Sequence, residues 1–270
     1  VHLDPFQDIP LHEIDPPRIR KWWATAIADG KRTSRSRAYK LLSATMRRAV
    51  SDRLIPHSPC TIEGAHTAET GKKLVVPSAE EVQRIIQNMN PRYKTFTVFL
   101  ANSGLRFGEA AALERSDLTM DALRGAPAWK VSVTKTAALV NGTITTQAPK
   151  SKASIRTIKL RPEMTVELVQ HMRANAARST PLLFPNASDG YIRNDVYTNS
   201  FRRALKKAGV DPRVTPHSLR HFAGSEYGRT GANVAELSAY LGDKSKSAVL
   251  RYLHTTDRGD DLLDGMRFVG

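Results

Sequence analysis

The run His217-Ser218-Leu219-Arg220-His221 decides how this 270-residue chain is read. Two histidines four apart share one face of a helix, and Arg220 stands on its flank. A zinc-protease helix would carry Glu directly after the first His, where this chain has Ser218, and a fixed cation inside the pair repels a metal. The run therefore reads as part of an anion site. Three more boxes share its logic. Ser103-Gly104-Leu105-Arg106-Phe107-Gly108-Glu109 sets an Arg just past a Gly break. Pro149-Lys150-Ser151-Lys152, leading into Ile155-Arg156-Thr157-Ile158, places lysines in a β-hairpin, with Lys152 on the same strand face as Lys150 and an alternative to it. Leu241-Gly242-Asp243 precedes Tyr252 by nine residues.

Charge points the same way. The chain holds 41 Lys and Arg against 26 Asp and Glu, a net +15, which calls for a polyanionic partner, nucleic acid first. Much of the surplus lies in residues 18–53: Arg18, Arg20, Lys21, Lys31, Arg32, Arg35, Arg37, Lys40, Arg47, Arg48 and Arg53, against only Asp29 and Asp52. From these, Arg18, Lys21, Arg32, Arg35, Arg37, Lys40, Arg47 and Arg48 are the candidate DNA contacts. One cysteine, Cys60, excludes an internal disulfide framework and a CxxC metal site, and fits a reducing compartment. No apolar run approaches the ~18 residues of a membrane span. Phosphate-binding G-x-x-x-x-G-K-[S/T], dinucleotide G-x-G-x-x-G and hydrolase G-x-S-x-G patterns are absent. Val1 in place of Met suggests a piece of a longer protein.

The pattern divides the chain in two. Pro16 and Pro17 mark a helix start, followed by Trp22, Trp23 and Ile27. Leu41, Leu42, Thr45, Met46, Ala49 and Val50 form a helical stripe. Residues 56–77, broken by Pro56, Pro59, Gly64, Gly71 and Pro77, read as a connector. Ser78 with Glu81 forms a capping box opening a second domain, where Val82, Ile85, Ile86 and Met89 keep helical spacing. The runs 129–133, 143–147 and 155–160, with a turn at Asn141-Gly142, predict a small antiparallel sheet. Helical patterns return over 162–177, 195–208, 218–229, 234–241 and 247–253. Arg202, Arg203, Lys206 and Lys207 form either a solvated helix face or a phosphate-contacting one.

Taken together, the boxes resemble the tyrosine recombinase family, and within it the phage-type integrases: an Arg after Gly-Leu, a hairpin Lys, the His-x-Leu-Arg-His run, a Leu-Gly pair and a Tyr, in that order. The resemblance implies a mainly α fold with a small antiparallel β-sheet. It divides the chain into an N-terminal helical core-binding domain (1–70), a linker (71–77) and an α+β tyrosine recombinase catalytic domain (78–270) ending in a short tail. It implies site-specific DNA recombination without cofactor or metal, through a 3′-phosphotyrosine. Tyr252 would be the nucleophile, Arg106 and Arg220 the phosphate clamp, Lys150 the general acid and His217 the acid/base. His221 and Glu109 would support them. Tyr240 and Tyr227 are competing tyrosines, Tyr240 reading as core and Tyr227 as too close to the His-x-Leu-Arg-His helix. The family carries His or Trp where this chain has Asp243. An ionised Asp only accepts hydrogen bonds and would repel phosphate, so its roles stay open: loss of a donor that His254 replaces, or orientation of Arg220 or His217. Implied partners are double-stranded DNA attachment sites, a homo-tetramer on DNA, a host DNA-bending protein and a directionality factor, with no membrane. The implied location is the cytoplasm of a bacterial host, at the nucleoid. The family's N-terminal arm-site domain has no counterpart in this sequence. The tail 253–270 reads as a surface helix or a contact to a neighbouring subunit. A recombinase-derived DNA binder that no longer cuts, and a type IB topoisomerase-like relaxing enzyme, are the alternatives.

Overall fold

The computed structural model describes residues 2–28, 32–66, 74–149, 152–243 and 249–250, without the side chains of 26–28, 32 and 152. The chain forms two compact units, Val1–Lys73 and Leu74–Gly270.

The first unit is built on two helices. α1 (Pro16–Ala28) starts where Asp15 accepts the Arg18 N–H at 2.8 Å, and the two prolines occupy positions that lose no helical hydrogen bond. α2 (Arg32–Ser51) lays Ala38, Tyr39, Leu42, Met46 and Ala49 against Ile19 and Trp22 of α1 and Phe6 of the leading segment. The expected stripe is thus rotated: Leu41 is 62 % exposed and Thr45 is exposed. Tyr39 and Ala38 take the inner positions, since a bulky aromatic fills the gap beside Trp23, with ring centroids 5.5 Å apart. Residues 56–66, read as part of a connector, pack on the core of this unit. Ile55, Pro59 and Ala65 are buried, and the Ile62 N–H donates to the Tyr39 hydroxyl at 2.8 Å. An irregular segment buries residues one at a time and so shows no period. Val75, at the other end, packs on the core of the second unit.

The second unit opens with α3 (Ala79–Asn88), whose capping box forms as read: Glu81 N–H to Ser78 Oγ at 3.2 Å and Ser78 N–H to Glu81 Oε2 at 2.8 Å. α4 (Pro91–Ser103) buries Phe96, Phe99 and Leu100, and α5 (Phe107–Ala111) follows after the Gly104 break. Next come β1 (Leu118–Leu123), β2 (Ala126–Val133), β3 (Thr136–Val140), β4 (Thr143–Gln147) and β5 (Arg156–Lys159). Helices α6 (Pro162–Ala174), α7 (Asn194–Ala208), α8 (Pro216–Arg229) and α9 (Val234–Leu241) complete the described part. The fold is mainly α with small antiparallel sheets.

Those sheets are two, where one was expected. β1-β2-β5 form an antiparallel sheet, and β3-β4 form a separate hairpin around Asn141-Gly142, both at positive φ. β1, Leu-Thr-Met-Asp-Ala-Leu, lacks the β-branched run that announces a strand. It pairs because Arg124-Gly125, also at positive φ, turns it onto β2. β4 and β5 therefore belong to different sheets and do not pair with each other. The Lys152 backbone lies in a 3-10 turn, Lys152–Ser154, so the strand-face relation expected for the lysines does not apply.

Candidate active site

Arg106 enters the site because α4 must stop. Gly104 caps it at φ 63, and a Cβ there would stand 3.1 Å from both Leu241 and Tyr240. The left-handed turn redirects the chain so that Arg106 becomes the residue before α5. Glu109, one turn into α5, accepts the Arg106 backbone N–H at 3.0 Å and its Nη1 at 2.9 Å. Arg106 Nη2 donates to Asp243 Oδ1.

α8 supplies the next group. Pro216 holds its first position, and the Thr215 N–H donates to Ser218 Oγ at 3.1 Å. Ser218, the residue that broke the metal-protease pattern, is thus a helix-capping partner. Leu219 and Arg220 point inward, with 0 % and 2 % exposure. A cation this deep persists only if its N–H groups are met. Arg220 Nη1 donates to the Gly104 carbonyl at 2.6 Å, and Nη2 to the Leu241 carbonyl and Asp243 Oδ2, each at 2.7 Å. Burial, then Arg106, hold the Arg220 pKa below its ordinary value against the pull of Asp243. His217 and Arg220 line a cavity of about 320 Å³ with Leu105, Phe107, Asn194 and Thr198. Burial first, then Arg220 and Arg106, push the His217 pKa down from 6.5 and outweigh Asp243. The ring is therefore neutral near pH 7 and able to take a proton. His221 packs edge-on to it, ring centroids 4.7 Å apart.

Asp243 ends the turn after α9 and spans both arginines. Burial raises its carboxyl, but Arg220 and then Arg106 bring it net below the ordinary value, so it is ionised. Glu109 behaves alike: burial opposes ionisation, and Arg156 followed by Arg106 overcomes it.

Arg156 is the residue that motif reading missed. Its Nη2 meets Glu109 Oε2 at 3.1 Å, its Nε the Tyr240 carbonyl at 2.9 Å and its Nη1 the Ser154 carbonyl at 3.1 Å. It thereby ties β5 to α5 and α9. Strand alternation held the signal: Arg156 shares a face with buried Ile158, so a charge there needs a buried partner, which is Glu109.

The structure thus joins Arg106, Arg220, His217, Asp243, Glu109 and His221. Lys150 and Tyr252 lie outside the described residues, as do His254 and the tail 253–270. Of the competing tyrosines, Tyr240 donates its hydroxyl to the Asn102 carbonyl at 3.0 Å and stacks on Tyr227 at 4.3 Å. Burial pushes the Tyr240 phenol far up. It is thus poorly suited to attack.

In the first unit, Arg18 and Lys21 are exposed on α1. Arg37, Lys40, Arg47 and Arg48 form an exposed stripe along α2, with Arg48 paired to Asp52 at 2.8 Å. Arg35 differs: its Nη1 donates to the Trp22 carbonyl at 3.1 Å and its guanidinium lies over the Trp22 ring, so it braces α1 on α2. The Arg32 side chain is outside the description. Arg202, Arg203, Lys206 and Lys207 are all exposed on α7.

This architecture, with two arginines and a histidine converging beside a small sheet, defines a catalytic unit of the tyrosine recombinase class. Residues 77–258 match the Phage integrase family model. The chain is 33% identical over 262 residues to the prophage phiRv2 integrase of Mycobacterium tuberculosis, covering 96% of this chain and 68% of that one. It is 26% identical over 259 residues to the integrase of Mycobacterium phage L5, covering 95% and 68%. Among solved structures it resembles the Tn1549 transposon integrase in complex with circular intermediate DNA, with TM-score 0.79, 15% identity, and coverage of 98% of this chain and 89% of that one. A lambda integrase tetramer bound to a Holliday junction gives TM-score 0.65 at 17% identity, covering 98% and 69%. The chain belongs to the phage integrase family and is a tyrosine site-specific recombinase.

Proposed function

We propose that the chain exchanges strands between double-stranded DNA attachment sites by the following chemistry, as a homo-tetramer on DNA. The Tyr252 hydroxyl oxygen attacks the scissile phosphorus. A P–O bond to tyrosine forms, the bond to the 5′-oxygen breaks, and Lys150 gives that oxygen its proton. His217 takes the tyrosine proton. Arg106 and Arg220 hold the non-bridging oxygens as charge builds, because planar, permanently charged forks suit a pentavalent phosphate. A 5′-hydroxyl from the partner strand then attacks the phosphotyrosine and reverses the bond changes. The energy of the broken bond is held in the phosphotyrosine, so the scheme consumes no nucleotide and assigns no step to a metal.

One observation carries this reading: Arg220, 2 % exposed, reaches the same carboxylate as Arg106, while His217 lines the cavity beside it. Two cations are thus held within reach of one anion next to a proton acceptor. The helical unit 1–73 is proposed as the core-binding domain, its α1 and α2 cations meeting phosphates. A host DNA-bending protein and a directionality factor would serve as accessory partners, and the reaction would take place at the nucleoid of a bacterial host.

The test is covalent trapping. Wild type and Tyr252→Phe are incubated in EDTA with nicked duplexes from the attachment region flanking the gene, then run on a denaturing gel. A wild-type adduct missing from the variant is the expected result. Native-gel retention of DNA with no adduct from either protein would replace this reading with a DNA binder that does not cut.

A further inference from the structure

Asp243 stands where the proposed reaction needs its phosphate. Its two carboxylate oxygens go to different arginines: Oδ1 accepts from Arg106 Nη2 and Oδ2 from Arg220 Nη2. Two non-bridging phosphate oxygens would divide between two guanidiniums in the same way. Each Nη1 is committed to a fixed group, and Arg220 Nη2 also serves the Leu241 carbonyl. Arg106 Nη1 serves Glu109 and Arg220 Nη1 serves the Gly104 carbonyl. The N–H groups turned toward Asp243 are therefore those an incoming anion would use. Asp243 is the more accessible partner: its side chain is 23% exposed and that of Arg220 2%.

We propose that Asp243 is an internal counter-ion filling the phosphate site, and that a phosphate must displace it to engage Arg106 and Arg220. The inference rests on reading those two arginines as the clamp. Without an anion, a buried guanidinium faces a second cation, and the carboxylate relieves that repulsion. With DNA present, the same carboxylate competes with substrate. A neutral His or Trp at this place would not compete. Asp243 is thus a positioning residue that keeps the clamp assembled and lowers its affinity for anions.

The test uses the full chain as wild type, Asp243→Asn and the double variant Asp243→Asn/Arg106→Gln, with tungstate as a tetrahedral dianion probe. Calorimetric titration reads affinity, and thermal melting reads stability with and without the probe. Asp243→Asn is expected to bind tungstate about tenfold more tightly than wild type, the scale of one charge-assisted hydrogen-bond competitor removed. Its Tm, lowered in anion-free buffer, should recover as tungstate is added. Equal or weaker binding than wild type, or a Tm loss that tungstate leaves unrepaired, would make Asp243 a structural brace and overturn the proposal. If the double variant binds as tightly as Asp243→Asn, the anion sits elsewhere, and it is the clamp reading that fails.

Discussion

Arg220 shows how a charge is kept inside a protein. Two backbone carbonyls and a carboxylate meet it within 2.7 Å, so ionisation survives burial. His217, its neighbour on α8, is the residue on which this field can be measured. Its folded pKa lies below the ordinary 6.5 through burial and the two arginines. The unfolded chain then binds more protons than the folded one once pH drops toward 6.5, so stability is full above that value and is lost as pH falls below it. His171, half-buried and bonded to the Leu183 carbonyl, is shifted the same way and adds its own share. Urea unfolding between about pH 8 and pH 5.5 should show wild type weakening and His217→Gln weakening less. Identical slopes for the two proteins would mean that neither burial nor the arginines shift the His217 charge.

At the scale of elements, the short helix α9 and its two ends place Asp243. Asn233 accepts the N–H groups of Ala235 and Glu236 at 2.9 and 3.0 Å, and Glu236 returns the bond to the Asn233 N–H at 2.8 Å. At the other end Gly242 adopts φ 67, and the N–H groups of Gly242 and Asp243 both reach the Ser238 carbonyl. Beneath that turn lies Arg156: a Cβ on Gly242 would stand 2.7 Å from its Nη1 and 3.0 Å from its Cζ. Gly242→Ala therefore adds a clash with a thrice-bonded guanidinium to the backbone strain, for a loss of about 2–3 kcal/mol. Gly142 in the β3–β4 turn has φ 83 and open space, so Gly142→Ala should cost only the strain, about 1 kcal/mol. Denaturant melts of both variants separate the two terms, and equal losses would remove Arg156 as the cause.

Over the whole molecule, each unit has its own core: Ile19, Trp22, Tyr39 and Met46 in one, Phe96, Phe99, Tyr197 and Phe201 in the other. Exposed cations stand on both units, the α2 stripe in the first and Arg202, Arg203, Lys206 and Lys207 on α7 in the second. If these cations meet phosphates, log affinity for a core-site duplex falls linearly with log salt, by about 0.9 per phosphate neutralised. Arg37→Gln and Lys40→Gln should each flatten that slope by about one and weaken specific and non-specific DNA alike. A slope unchanged in both variants would remove α2 from the DNA contact. Tyr252→Phe should keep the wild-type slope, since it removes no charge.

Local chemistry was legible in the sequence. The Ser78 capping box, the Asn141-Gly142 turn and the helix Val234–Leu241 all follow from neighbours within about one helical turn or one hairpin. Such features depend on backbone geometry that nearby residues set themselves. Contacts between distant segments were not legible. The connector that packs beneath Tyr39, the strand β1 without a strand's composition, and the inward turn of Tyr39 in place of Leu41 each depend on a partner surface. So do Arg156 under Glu109 and Asp243 between the two arginines. Reading motifs marked Asp243 as a departure. Only the fold, bringing the turn after α9 against the break after α4, makes it the shared counter-ion of two cations, because a buried charge is stable only where tertiary packing delivers its opposite.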